Sequence, residues 1–141
     1  MADVTVVAAA VRAVEGDPAD TVTMDAASGY TPTVGDLVAV AGNDTVDECD
    51  ATDSNTLMEP FGIVESYKAV RTTAGTAGYR VTVRQRGIME GFTSLTAKTV
   101  LWNSTTAGAI ADADPTTTGV TGYPIGVAIN ATQVCLALPR F

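Results

Sequence analysis

Residues 99–138 read TVLWNSTTAGAIADADPTTTGVTGYPIGVAINATQVCLAL, and the β-character of the chain is plainest here. Val100, Leu101 and Trp102 make an apolar strand that runs into a small-residue hairpin at Gly108. A Thr-rich loop follows, with Thr116-Thr117-Thr118 as an exposed tip. Pro-Ile-Gly-Val-Ala at 124–128 then leads to a last alternating strand ending at Leu138. The stretch holds no paired acid and base, no metal-ligand spacing and no phosphate loop.

The same character extends outward. Threonine occurs 22 times, and with valine it favours pleated, half-buried surfaces. Leucine, glutamate and lysine, the common helix fillers, are scarce. Composition therefore predicts an all-β chain of one domain's length. Tyr79 to Gln85 is the cleanest strand, with Tyr79, Val81, Val83 and Gln85 on one face and Arg80, Thr82, Arg84 and Arg86 on the other. Val34-Gly35-Asp36 opens a strand from Leu37 to Ala41, and Phe61 to Val70 resumes the pattern. Phe92 to Lys98 has the composition of one helical turn begun by Thr93 or Ser94. Thr5 to Val14 reads as a first strand or as an arm that orders on assembly. Two parts follow: 1–30 as N-terminal arm and first strands, and 31–141 as a single β-domain.

A shift of 64 places Leu37 on Leu101, Thr52 on Thr116, Pro60 on Pro124, Gly62 on Gly126 and Val70 on Val134. Segments 37–70 and 101–134 thus echo one unit: apolar strand, long polar loop, Pro-apolar-Gly-apolar, strand. The repeated glycine marks a bulge or a close backbone approach.

A net charge of −8 disfavours nonspecific nucleic-acid binding, which needs a basic footprint, and docking on anionic lipid. The charge is uneven. Six of the eight basic residues lie between 68 and 98, where Glu90 is the only acid, so that window carries +5 and the remainder −13. Arg80, Arg84 and Arg86 form a basic stripe that is either a solvated strand face or an assembly surface. Trp102, the single tryptophan, is either a core aromatic or an interface anchor.

The chain has no histidine, and its carboxylates lie mostly in loops. Serine and threonine lack the neighbouring base that a nucleophile needs. No catalytic residue, cofactor or metal is expected. Asp44, Asp47, Glu48, Asp50 and Asp53 lack the glycine and final glutamate of an EF-hand loop, so they read as a solvated acidic loop rather than a calcium site. Cys135 is expected to pack as a small hydrophobe, and Cys49, set among acids, to be a poor thiolate. Two free thiols or one bridge are open. The first residues lack a basic leader, and the run Val4 to Val14 is too short to span a bilayer. The sequon at Asn130 reads as turn chemistry.

Val34-Gly35-Asp36-Leu37-Val38, Phe61-Gly62-Ile63-Val64, Val81-Thr82-Val83 with Gly87, Ala97-Lys98-Thr99-Val100-Leu101-Trp102, Gly108-Ala109-Ile110, Ile125-Gly126-Val127-Ala128 and the closing Val134 to Leu138 strand occur in this order. Together they resemble the small capsid decoration (cement) proteins of tailed bacteriophages, from about Val34 to Leu138. A Gly-Asp usual in that family is Ala97-Lys98 here. The resemblance implies a compact small β-barrel or β-tulip, to which the residue pattern adds an extended N-terminal arm and at most one short helix. It implies a non-enzymatic protein, trimeric, bound to the major capsid protein on the outer surface of the virion and made in the host bacterial cytoplasm. No direct nucleic-acid or membrane contact is expected. Arg80, Arg84, Arg86, Trp102, Val4 and Val6 are the candidate interface residues, Val4 and Val6 by adding a strand to a neighbour's edge. A head-fibre or tail-associated domain and a carbohydrate-binding β-module are the alternatives.

Overall fold

The computed structural model describes residues 2–17, 20–52, 57–71, 77–115 and 120–138. The Thr116–Thr118 tip and Asp53 lie outside them. The fold is all-β. Five strands close a barrel in the order β3 (Thr21–Ala26), β5 (Thr45–Glu48), β4 (Leu37–Gly42), β6 (Gly62–Arg71) and β7 (Ala77–Arg84). All neighbours are antiparallel except β3 and β5, which run parallel at the closure. A second, open sheet has the order β11 (Ile110–Ala111), β10 (Val100–Asn103), β12 (Pro124–Ala128), β13 (Gln133–Ala137), β8 (Arg86–Glu90) and β2 (Arg12–Glu15).

The short apolar runs Leu37-Val38-Ala39 of β4 and Gly62-Ile63-Val64 of β6 follow from burial on both faces. Val38 and Val64 point into the barrel, among Met24, Tyr30, Val46, Val81 and Val83. Their neighbours Leu37, Ala39 and Ile63 point the other way, into a larger core with Met89, Phe92, Leu101, Ile110, Ile125, Val134 and Leu136. The open sheet thus packs its inner face against the outside of the barrel.

The two echoed segments lie in sheets of similar strand order. Strand order β5-β4-β6-β7 in the barrel matches β11-β10-β12-β13 in the open sheet. Leu37 and Leu101 are fully buried in the shared core. A Cβ on Gly62 would run into Val83 and the Arg84 carbonyl, and one on Gly126 into the Cys135 carbonyl. The match of Val70 with Val134 does not hold, because β6 is ten residues long and β12 five.

The N-terminal stretch is extended and already laid on the body. β1 (Thr5–Val6) pairs with β9 (Phe92–Thr93), and β2 pairs with β8. The Val4 amide donates to the Ile110 carbonyl at 2.7 Å and the Val7 amide to Gly91 at 2.7 Å. Among the described residues a single 3-10 turn, Ala8–Ala10, is the helical content of the elements. The helical turn expected over 92–98 is instead the short β9 followed by a turn, with Ser94 (φ 60°) and Lys98 (φ 75°) in the left-handed region. Pairing with the N-terminal strand overrides local propensity there.

Candidate interaction surface

The six sequence-predicted interface residues do not converge on one patch. Arg80 is exposed on the barrel and pairs with Asp25 across β3–β7 at 3.1 Å. Arg84 leaves the stripe: its side chain is 6% exposed. Its Nε donates to Glu65 Oε1 at 3.1 Å, and its Nη1 to the carbonyls of Asp17 and Arg86 at 3.3 and 3.2 Å. A register shift between Val64 and Ser66 leaves Glu65 unopposed on β6, and a bulged residue is re-aimed, here toward Arg84. Gly16 makes room, since a Cβ there would strike the guanidinium. The strict alternation of Tyr79 to Arg86 thus ends at the junction of barrel and open sheet. Gln85 is buried there too, donating through Nε2 to the Phe61 carbonyl at 3.2 Å. Arg86 starts the next strand and is exposed.

Val4 and Val6 are half-buried against the chain's own larger core, and Val6 already lies in the strand β1 that pairs with β9. Trp102 is half-buried on β10, in register with Pro124.

Sequence reading missed the outer face of the open sheet. Val100 is opposite Val127, Val127 opposite Cys135, and Cys135 opposite Ile88. Beyond Ile88 a bulge sets both Val14 and Glu15 against it. Directly opposed residues share a face. The result is an apolar row crossing five strands at right angles. Val14, Val100 and Val127 are 46%, 40% and 38% exposed. Cys135 is exposed rather than packed, because Val134, Leu136 and Leu138 take the inward positions and alternation turns it outward. The signal was present in the period-2 pattern; what the sequence lacked was the pairing register.

Charge is distributed to match. The six strands of this sheet hold two arginines and two glutamates, Arg12, Glu15, Arg86 and Glu90, and no other charged residue. Arg12 and Glu90 form an ion pair. The acidity of the chain therefore sits elsewhere, much of it on the β4–β5 hairpin and the segment after it.

That hairpin is the acidic loop of the sequence reading, now paired from Val38–Glu48 to Gly42–Thr45. Asp36 accepts from the Tyr30 hydroxyl at 2.7 Å and from the Thr33 amide at 3.0 Å. Burial raises the Asp36 carboxyl above its ordinary range, opposed by these two hydrogen bonds. Burial, then the charges of Asp36, Asp47 and Asp50, raises Glu48. Burial and the Asp36 hydrogen bond push the Tyr30 phenol far up. Burial and Asp50 push the Cys49 thiol up to about 12. Burial favours the neutral form of each group, and the Tyr30–Asp36 bond braces the turn before β4. No three His, Cys, Asp or Glu residues among the described ones are placed to hold a metal ion. Asn130 closes the β12–β13 turn, its Oδ1 accepting from the amides of Thr132 and Gln133 at 2.9 Å each. No described helix is long and apolar enough to cross a membrane.

Comparison with protein-family models, with curated proteins and with solved structures finds no match.

Proposed function

We propose that this chain is a non-enzymatic decoration protein of a tailed-phage head, bound as a trimer to the major capsid protein on the outer surface of the virion. The single observation that carries the reading is the outer face of the open sheet. It is an exposed apolar row, uncharged at its centre, on a chain that is otherwise acidic. Such a face is the kind of surface that protein partners cover. The ordered β-motifs from Val34 to Leu138 supply the family expectation. Reactive groups tied into internal hydrogen bonds agree with a binding role. A small module that touches several shell subunits at once gains avidity without a large contact at any one of them.

The deciding experiment adds the purified chain to undecorated heads and images the particles by electron microscopy. Density at threefold positions on the outer surface supports the reading. Heads that remain bare at saturating protein overturn it, and density at a tail or fibre supports the head-fibre or tail-associated alternative.

One observation favours a second reading, a carbohydrate-binding β-module. Tyr67 and Tyr79 stand edge to face on β6 and β7, ring centroids 5.8 Å apart, with Tyr67 exposed. A glycan array on wild type and Tyr67→Ala tests it.

A further inference from the structure

We propose that the outer face of the open sheet is a self-association surface, on which a second copy of this chain packs sheet to sheet with Cys135 facing its own counterpart. Three features of the face point to a second copy. The first is charge. A chain carrying −8 repels its own kind over most of its surface. The strands of the open sheet carry no net charge, and β10, β12 and β13 carry no charged residue at all. An acidic copy approaches here without opposing its own field.

The second is symmetry. The apolar row spans β10, β12, β13, β8 and β2, and Cys135 on β13 is its midpoint. A two-fold axis lying along the row places each row residue over the same residue of the second copy. Apolar then covers apolar from Val100 through Cys135 to Ile88, as an isologous contact requires, while at the β2 end Val14 and Glu15 each meet their own counterpart.

The third is the flanking charge on β8. Arg86 and Glu90 stand two residues to either side of Ile88. The same axis carries Arg86 over Glu90 of the second copy, and the reverse, giving two opposite-charge pairs at the rim. Glu90 already holds Arg12 within its own chain, so the carboxylate sits between two guanidinium groups. Rim pairs of this kind set orientation, and burial of the valine row supplies affinity.

The contact is two-fold, and it uses the face that the decoration reading gives to the shell, so it belongs to copies not yet docked on a head. It joins free subunits or whole trimers alike. Packed sheets stand about 10 Å apart, beyond the roughly 7 Å Cα separation that a disulfide tolerates, so a short thiol-to-thiol linker is the right probe.

The test uses the full chain in sedimentation-equilibrium runs over a wide concentration range, with a short bismaleimide added to parallel samples. The expected result is an even-numbered assembly, with a Cys135–Cys135 adduct identified by mass spectrometry. Cys135→Ser removes the adduct and keeps the assembly. Val127→Asp weakens association by about tenfold or more, equivalent to about 1.4 kcal/mol, with an unchanged melting temperature. Three results overturn the proposal: a monomer throughout, a trimer without the Cys135 adduct, or an assembly indifferent to Val127→Asp. The trimer result leaves the decoration reading standing. An even-numbered assembly that fails to bind heads does the opposite. Shielding of Cys135 that appears only when heads are added shows that the shell covers this face, and also overturns self-association.

Discussion

Arg84 on β7 and Glu65 on β6 are ion-paired at 3.1 Å in the seam where the barrel meets the open sheet. The arginine is the more deeply buried of the two, and it also holds the Asp17 and Arg86 carbonyls. It links β6, the segment after β2 and the start of β8 through one side chain. Arg84→Met leaves Glu65 without its cation and takes one donor each from the Asp17 and Arg86 carbonyls, the former keeping the Asp20 amide at 2.9 Å. Removing one partner of a buried pair costs about 3–5 kcal/mol, and the partial exposure of Glu65 places this variant near the lower end. Urea unfolding followed by tryptophan fluorescence measures it. Arg86→Glu, on the exposed face, leaves the midpoint nearly unchanged.

The N-terminal stretch contributes to folding before any partner arrives. Deleting residues 2–14 removes Val11, which is 8% exposed, with half-buried Val4 and Val6 and the strand that covers one side of β8. Full burial of one valine is worth about 1.5–3 kcal/mol, so the truncated chain loses several kcal/mol or fails to fold. Thermal unfolding of the truncated chain checks this. A melting temperature equal to wild type would show that the stretch is an accessory.

Glu48 and Asp36 give the protein a pH signature. Burial raises both carboxyls, so the folded state holds their protons more tightly than the unfolded state. Their contribution is most favourable below the ordinary carboxylate pKa. It is lost as pH rises through the raised folded values. Glu48→Gln therefore gains about 0.5 kcal/mol at pH 7 over wild type, and the gain vanishes in acid. Chemical denaturation of both proteins at a series of pH values reads the difference.

The two glycine positions of the repeated unit are intolerant of a side chain. Gly126→Ala drives a methyl group into the Cys135 backbone carbonyl, and overpacking of this kind costs about 1–3 kcal/mol or more. A Cβ on Gly29 meets nothing within 4 Å, so Gly29→Ala bears only the strain of φ +84°, about 1–2 kcal/mol. Melting temperatures of the two variants rank them in that order.

The two thiols separate by reactivity. Cys49 is fully buried and its thiol is pushed up to about 12, whereas Cys135 is exposed. A chromogenic disulfide reagent at pH 8 titrates one thiol in the dilute native protein and two after unfolding. Two fast thiols in the native state would contradict the placement of Cys49.

Much of the fold was legible because β-structure declares itself by alternation. Val81 and Val83 point inward as their parity requires, and the 64-residue echo located both Pro-x-Gly strands. What parity cannot give is register. Arg84 has the spacing of an exposed strand residue, yet the bulge at Glu65 and the close approach of Gly16 enclose it. Cys135 looked buried because its strand is apolar, although alternation with Val134 and Leu136 sends it outward. The apolar row was invisible for the same reason: Val14, Ile88, Val100, Val127 and Cys135 are scattered over more than a hundred positions and meet only through strand pairing. Propensity also failed at Phe92, whose partner is the distant Val6.

Leu37 and Val38 are consecutive residues that serve different cores, and so are Ile63 and Val64. Neither half of the molecule has a private wall. A lesion in the barrel lumen shifts the same two strands that roof the open sheet, so the chain is expected to melt in a single step, with no half-open species. Proteases that cut partly opened chains would find no such form to attack, so that indivisibility is itself a form of protection.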